Sequence, residues 1–471
     1  MEILYNMIFT KERYDFMPQT GNPSQANPLG IAPVNQLLVR FAVPSIIAML
    51  VSALYNIVDQ FFIGQSVGML GNAATNVAFP LTITCTAISL MCGVGGAANF
   101  NLSMGGGLRE EAERYAGNAI FMLFFIGLVL CFVVRLFLRP LMLLFGATTD
   151  ILNYSLTYTG ITSFGFPFLI LTTGGSNLVR ADGSPKFSML CTLTGAIINT
   201  ILDPLFIFCF DMGMAGAALA TIIGQIVSGI MIIIYLMHFK TVHLSLGSLR
   251  PLPSHCLAIA TLGMSPFLNQ LAMMVVQIVL NNVLRYYGGQ SLYGSDIPLA
   301  CAGIITKINM IFFSLVIGLS QGLQPIISFN YGAKKYGRVR EAYLKAAAMA
   351  TSISTVAFLC FQFFPRQIVS IFGTGSEEYF LFAERYFRIY LFFTFLNGLQ
   401  PITSNFFTSI GKATKGIFIS LTRQIIFLLP LILILPMFLG IDGVMYCAPV
   451  ADLMAAIVAI LFAGKELKAI S

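Results

Sequence analysis

Twelve apolar runs alternate along the chain with short polar joints. They lie near 36–63, 73–101, 115–138, 151–179, 186–209, 214–238, 255–284, 298–329, 342–363, 380–407, 414–438 and 442–463. A helix that crosses a bilayer needs about 20 mostly apolar residues, and every run supplies that. Many contain an internal Gly or Pro, which a membrane helix tolerates where its neighbours satisfy the freed backbone groups. The pattern predicts an all-α membrane protein of twelve transmembrane helices.

The pattern repeats. Pro44 in AVPSIIAMLVSALYNIVD aligns with Pro266 in GMSPFLNQLAMMVVQIVLNN, and GGGLREEAERYAGNA (105–119) with GRVREAYLKAAA (337–348). RADGSPK (180–186) aligns with TSIGKATK (408–415), and GMAGAALAT (213–221) with GIDGVMYCA (440–448). Four collinear matches, each displaced by roughly 220–230 residues, argue for a duplicated six-helix unit in parallel orientation. The expected organisation is an arm over 1–31, an N-lobe over 32–240, a linker over 241–254, a C-lobe over 255–465 and a tail over 466–471. The arm carries neither a long apolar core nor a small-residue cleavage site, so it is not read as a signal peptide.

Composition sharpens the membrane reading. Of 471 residues 57% are hydrophobic and only 10% charged, against roughly 25% charged in a soluble domain. Tryptophan is absent, so an interfacial belt would draw on the 17 Tyr and 42 Phe. The net charge of +7 does not point to nucleic acid, because the basic residues sit in short loops. They cluster at 109–114, 180–186, 240–250, 334–340, 412–415 and 465–468, with Lys11 and Arg13 in the arm. The opposite loops carry only Arg135, Arg139, Arg285, Arg366, Arg385 and Arg388. This bias places both termini in the cytoplasm. The nine Cys are scattered without a C-x-x-C pair, and His238, His243 and His255 lack ligand spacing. No metal site or disulfide framework is expected.

There is no G-x-x-x-x-G-K-[ST] loop, so transport would be driven by an ion gradient or by the substrate's own gradient. No cofactor is expected beyond a coupling ion, H+ or Na+. Almost every acid lies in a loop or at a helix end, and the exceptions are Asp59, Asp203 and Asp452. A carboxylate inside a bilayer is costly and is by default a functional candidate. Asn199 stands four residues before Asp203 and shares its helical face, and Pro204 frees a backbone carbonyl beside it. Asp59 aligns with Asn281 and Asp203 with Leu429, so the acids occur in the first copy alone. Asp452 reads as the partner of Lys307 or Arg423, the other intramembrane charges. Met49, Tyr55, Met273, Met274, Gln277 and Met310, on the first, seventh and eighth runs, are candidate lining of an adaptable apolar cleft.

These residues resemble the MATE (multidrug and toxic compound extrusion) family, in its DinF-like and MepA-like bacterial branch, from about residue 32 to 463. The motifs are the Pro44-to-Asp59 spacing, R-A-x-G at 180–183, N-x-x-x-D-P at 199–204, G-A-A-L-A-T at 216–221 and Q-G-L-Q-P at 321–325. The resemblance implies two pseudo-symmetric six-helix bundles around a central cleft. It implies exchange of lipophilic, often cationic, small molecules for H+ or Na+ by alternating access across the cell membrane. It adds Asn177, Thr221 and Tyr158 to Asp59, Asn199 and Asp203 as the cation or proton site. Asn397 stands where a related branch has an acid, so a second-copy cation site is not expected. Drugs and membrane lipids are the implied partners, nucleic acid is not, and a monomer is implied. The competing readings are a lipid-linked oligosaccharide flippase of the same superfamily, a membrane-embedded enzyme and a channel. The flippase commonly has fourteen spans and a cationic cleft, the enzyme needs clustered His, Glu or Cys, and the channel leaves the paired lobes unexplained.

Overall fold

The computed structural model describes residues 27–245, 247–294, 296–372 and 377–470. Most of the arm expected over 1–31 lies outside them. Twelve helical spans follow one another: α1 (Val34–Ser66), α2 (Met69–Gly105), α3 (Arg109–Leu136), α4 (Thr149–Thr162 and Phe166–Ala181), α5 (Pro185–Pro204), α6 (Gly213–Leu236), α7 (Pro253–Gly289), α8 (Asp296–Gly332), α9 (Tyr336–Phe363), α10 (Glu377–Tyr390 and Leu399–Ser409), α11 (Ala413–Leu421, continuing to Leu439) and α12 (Ile441–Ala469). Ten are long and apolar enough to cross a membrane without a break. The fourth and tenth are each broken, by 3-10 turns at Ser163–Gly165 and Thr394–Leu396. Each break has a local cause. Pro167 opens the second piece of α4 with no N–H to bond back, and Pro401 does the same in the first turn of the second piece of α10, which Gly398 precedes.

The two halves share further irregularities. A short helix follows α3 (Leu138–Leu144) and another follows α9 (Pro365–Phe372). A π turn interrupts the fifth span at Leu205–Cys209 and the eleventh at Thr422–Leu428. The α4–α5 corner closes on Gly183, at φ +87°, and the α10–α11 corner on Gly411, at φ +79°. Both corners use the same pair of bonds back into the preceding helix: Gly183 N to Arg180 O with Ser184 N to Val179 O, and Gly411 N to Thr408 O with Lys412 N to Phe407 O. A left-handed residue is needed there, and glycine adopts it without a Cβ clash.

The halves meet where α1 runs along α8 and α2 runs along α7 and α8. Small residues set the approach. A Cβ on Gly263 of α7 would lie 1.8 Å from the Met91 carbonyl of α2, and one on Gly322 of α8 would lie 2.6 Å from Ala42 Cα of α1. The early turns of α1 belong to the second half's core, where Leu37, Leu38 and Phe41 pack with Leu319, Leu323, Ala346 and Phe406. Asn330 Nδ2 and Lys335 Nζ hold the turn preceding α1 through the Leu29 and Gly30 carbonyls, at 2.8 and 2.9 Å. Phe124, Phe125 and Phe132 on α3, Val356 and Phe363 on α9, and Ile457 and Leu461 on α12 are exposed, forming an apolar exterior suited to lipid.

The joint between the halves is fastened to the first. Asp182, buried at the α4–α5 corner, accepts hydrogen bonds from Tyr235 Oη (2.8 Å), Lys240 N (2.7 Å), Thr241 N (3.0 Å) and Thr241 Oγ1 (2.5 Å). Burial pushes its carboxyl up to about 6 against the opposing pull of those bonds. Further on, Ser245 donates to Glu113 and Leu252 N donates to Asn118 Oδ1 at 2.7 Å. His255, at the start of α7, meets Glu111 at 2.8 Å. The face bearing this strap is called the linker face below.

Candidate functional site

A chamber of about 130 Å³ opens between α1, the second piece of α4, α5 and α6, with one wall from α8. Its lining is mixed: Met49, Ser52 and Tyr55 from α1, Leu169, Thr172, Thr173, Ser176 and Arg180 from α4, Asn199 from α5, Thr221 and Gln225 from α6, and Gln321 from α8. Polar side chains on these helices repeat every three or four residues, as at Thr172–Thr173–Ser176–Arg180 and Thr221–Gln225–Ser228, so they share one face.

Behind the wall formed by Tyr55, Asn199 and Thr221 stand Asp59, 8% exposed, and Asp203, fully buried. The two carboxyl groups are close enough to share a hydrogen bond. Two buried carboxyls in that contact hold a proton between them or require a bound cation, because like charges at such range repel strongly. Asn199 Nδ2 reaches Asp203 Oδ1 at 3.3 Å and Thr221 Oγ1 at 3.4 Å. Tyr158 and Tyr55 both lie beside the two acids, and Tyr158 also lies against Thr221. Asp59 Oδ1, Asn199 Oδ1, Asp203 Oδ2 and Gln225 Oε1 are buried and accept no bond from an N–H or hydroxyl among the described residues. Buried polar atoms are nearly always paired. A group of spare oxygens suits a proton, a small cation or ordered water. Pro204 follows Asp203 directly and starts the π turn, in which Phe210 N bonds Leu205 O.

Of the residues read from sequence, Asp59, Tyr158, Asn199, Asp203 and Thr221 thus converge. Asn177 lies further along the chamber: its Oδ1 accepts from Arg180 at 2.7 Å, and its amide donates to Thr173 O. Met49 and Tyr55 line the chamber, whereas Met273, Met274, Gln277 and Met310 do not. Met273 and Met310 are exposed, and Gln277 bonds Asn281 at 3.0 Å.

Arg180, read from sequence as a loop charge, is 2% exposed and lies at the chamber's linker-face end. The α4–α5 corner folds it inward, and Gln321, 141 residues away in sequence, covers it with a 2.8 Å bond. The only local signal was its position just inside the Gly183 corner. In the second half, Asp452 pairs with Arg423 at 2.6 Å and with Asn397 Nδ2 at 2.9 Å, while Lys307 stays exposed and takes no part in this pair. That acid therefore already has its counter-charge.

A family model described as MatE matches the chain twice, over residues 44–205 and 273–434. "Multidrug export protein MepA" of Staphylococcus aureus strain MSSA476 is 25% identical over 432 residues, covering 91% of this chain and 93% of that one. The Staphylococcus saprophyticus protein of the same name is 24% identical over 438 residues, covering 90% and 92%. Among solved structures, "Outward-facing conformation of a multidrug resistance MATE family transporter of the MOP superfamily" superposes with a TM-score of 0.88 at 22% identity, over 96% of this chain and 100% of that one. A Pyrococcus furiosus transporter of that superfamily, described as having reverse polarity of its binding pocket, gives 0.87 at 23% identity over 96% and 99%.

Proposed function

Since the chain belongs to the MatE family, we propose that it is a secondary active exporter of lipophilic, often cationic, small molecules from the cell. The MepA proteins, by name multidrug exporters, match nearly its whole length. Asp59 and Asp203 form the coupling site, exchanging H+ or Na+ for the drug. Asn199, Thr221 and Tyr158 surround them, and Asn177 contributes from further off, where it holds Arg180. The observation that carries the reading is the buried carboxyl pair with its spare oxygens, set behind Tyr55, Asn199 and Thr221 of the chamber wall. Loading the pair with a proton or cation lowers its negative charge, and releasing it restores a more negative site for a cationic substrate. The linker face, rich in Lys and Arg, is the cytoplasmic one, with both termini on it.

The test is uptake of a lipophilic cationic dye by proteoliposomes under an imposed pH gradient or an imposed Na+ gradient. Asp59→Asn and Asp203→Asn should each abolish the gradient-driven component while the purified variants keep the wild-type elution profile. Normal gradient-driven uptake in both variants would sink the assignment.

A further inference from the structure

Among the described residues, two arginines are buried in the helical interior, and they are treated differently. Arg423 has a carboxylate, Asp452, at 2.6 Å. Arg180 has none among the described residues. Its guanidinium contacts Asn177 Oδ1 at 2.7 Å, Gln321 Oε1 at 2.8 Å and Ser188 Oγ at 3.0 Å, all neutral acceptors. A buried cation without a counter-charge is expensive. A guanidinium also presents five N–H donors in a planar fork, and the three contacts leave donors unused. Ser176 Oγ, on the same helix one turn before, is likewise buried and unpartnered.

Position adds to this. Arg180 lines the chamber, and so do Tyr55, Asn199 and Thr221, behind which Asp59 and Asp203 lie, so a cation and two carboxyl groups stand in and beside one cavity. Drug-sized ligands occupy pockets of about 300–1,000 Å³. The chamber's 130 Å³ admits only the end of such a molecule. The group best matched to an unpaired guanidinium is a carboxylate, which can accept two parallel N–H bonds.

We propose that Arg180 is a substrate subsite that binds the carboxylate end of an amphiphilic, amine-bearing small molecule, and that the Gln321 side chain is the group this carboxylate displaces. The proposal rests on the reading of the chamber as an export path, and within that reading it assigns the residue that would hold the carboxylate of a zwitterionic substrate. Gln321 belongs to α8, in the other half of the chain. A ligand that takes its place removes one of the bonds holding the halves together at the base of the chamber; Gln324 Nε2 to Val94 O, at 2.8 Å, is another.

The experiment compares binding of a tertiary-amine aryl carboxylic acid with binding of its methyl ester. Equilibrium dialysis is used on the full chain in detergent, with no gradient present. The wild type should prefer the acid by about tenfold, the scale of one charge-assisted hydrogen bond. Arg180→Gln should bring the acid-to-ester ratio to about one, and Arg180→Lys should restore part of it. Gln321→Ala, which leaves the arginine in place and removes its competitor, should tighten acid binding several-fold. Equal acid-to-ester ratios in the wild type and Arg180→Gln would overturn the proposal. Should Arg180→Gln fail to fold, unchanged or weaker acid binding by Gln321→Ala would overturn it. Acid preference without gradient-driven dye uptake would count against the export reading alone, and uptake without acid preference against the subsite alone.

Discussion

Buried charge is the residue-scale feature that most distinguishes the two halves. In the second half Arg423 and Asp452 neutralise one another, with Asn397 on the remaining carboxylate oxygen. Removing one member of such a pair strands the other, at about 3–5 kcal/mol, whereas replacing both with apolar residues of similar size is often nearly neutral. Asp452→Leu should therefore lower the melting temperature in detergent strongly, and Arg423→Leu with Asp452→Leu should recover most of the loss. A double variant as unstable as the sum of the singles would mean the pair is not the source. The acids themselves were legible in the sequence, because carboxylates away from loops and helix ends are few and stand out, and Arg423 was one of two partners for Asp452. Arg180 was not legible. In NLVRADG it reads as a helix-end charge, and its burial depends on Gln321, a contact that no local pattern records.

At the scale of elements, periodicity and length located all twelve spans, but the breaks in α4 and α10 lay within single apolar runs. Hydropathy averages over a Pro or Gly that ends one helix and starts another. The strap between the halves shows a related limit. Its His and Pro content marks a linker over 241–254, and its attachment to the first half comes from Asp182, Glu113 and Asn118, side chains distant in sequence. Asp182 has a measurable consequence. Its carboxyl is held above the ordinary 3.8, up to about 6, so between those values the folded protein binds more proton than the unfolded chain. Stability from this group is then greatest below 3.8 and declines as pH rises to about 6. Wild type should lose melting temperature across that window relative to Asp182→Asn, which has no titrating group there. Asp182→Ala, which removes the acceptor of four bonds, should also speed hydrogen exchange over 238–245 without changing exchange in α12. A flat difference between wild type and Asp182→Asn across the window would show that the carboxyl titrates alike in the folded and unfolded chain.

For the whole molecule the question is where the halves part. The glycine-lined contacts of α2 with α7 and of α1 with α8 lie toward the linker face, and packing this close has little room for gradual sliding. Two rigid bundles that rock about a midplane site would open this seam in one state and close it in the other. The strap cannot be the pivot along its length, since it is bonded to the first half as far as Leu252 and on to His255 in the first turn of α7; a turning point would fall beyond that turn. The sequence pairs the 105–114 and 332–340 segments as equivalent, and the structure specifies which residues meet. A Cβ on Gly106 has no neighbour nearer than 3.4 Å and faces the Gly332 carbonyl at 3.8 Å, whereas one on Gly337 meets nothing within 4 Å. Gly332 itself has no room, because its Cβ would lie 2.1 Å from the Leu102 carbonyl. The informative pair is therefore Gly106→Cys with Ala333→Cys, in a background with the nine native cysteines replaced. Oxidation should cross-link the seam in the state described here, stop gradient-driven dye uptake in proteoliposomes, and release it again on reduction. Full uptake with the cross-link quantitatively formed would mean that the linker face stays shut through the cycle, and the halves would have to exchange substrate by a motion other than rocking.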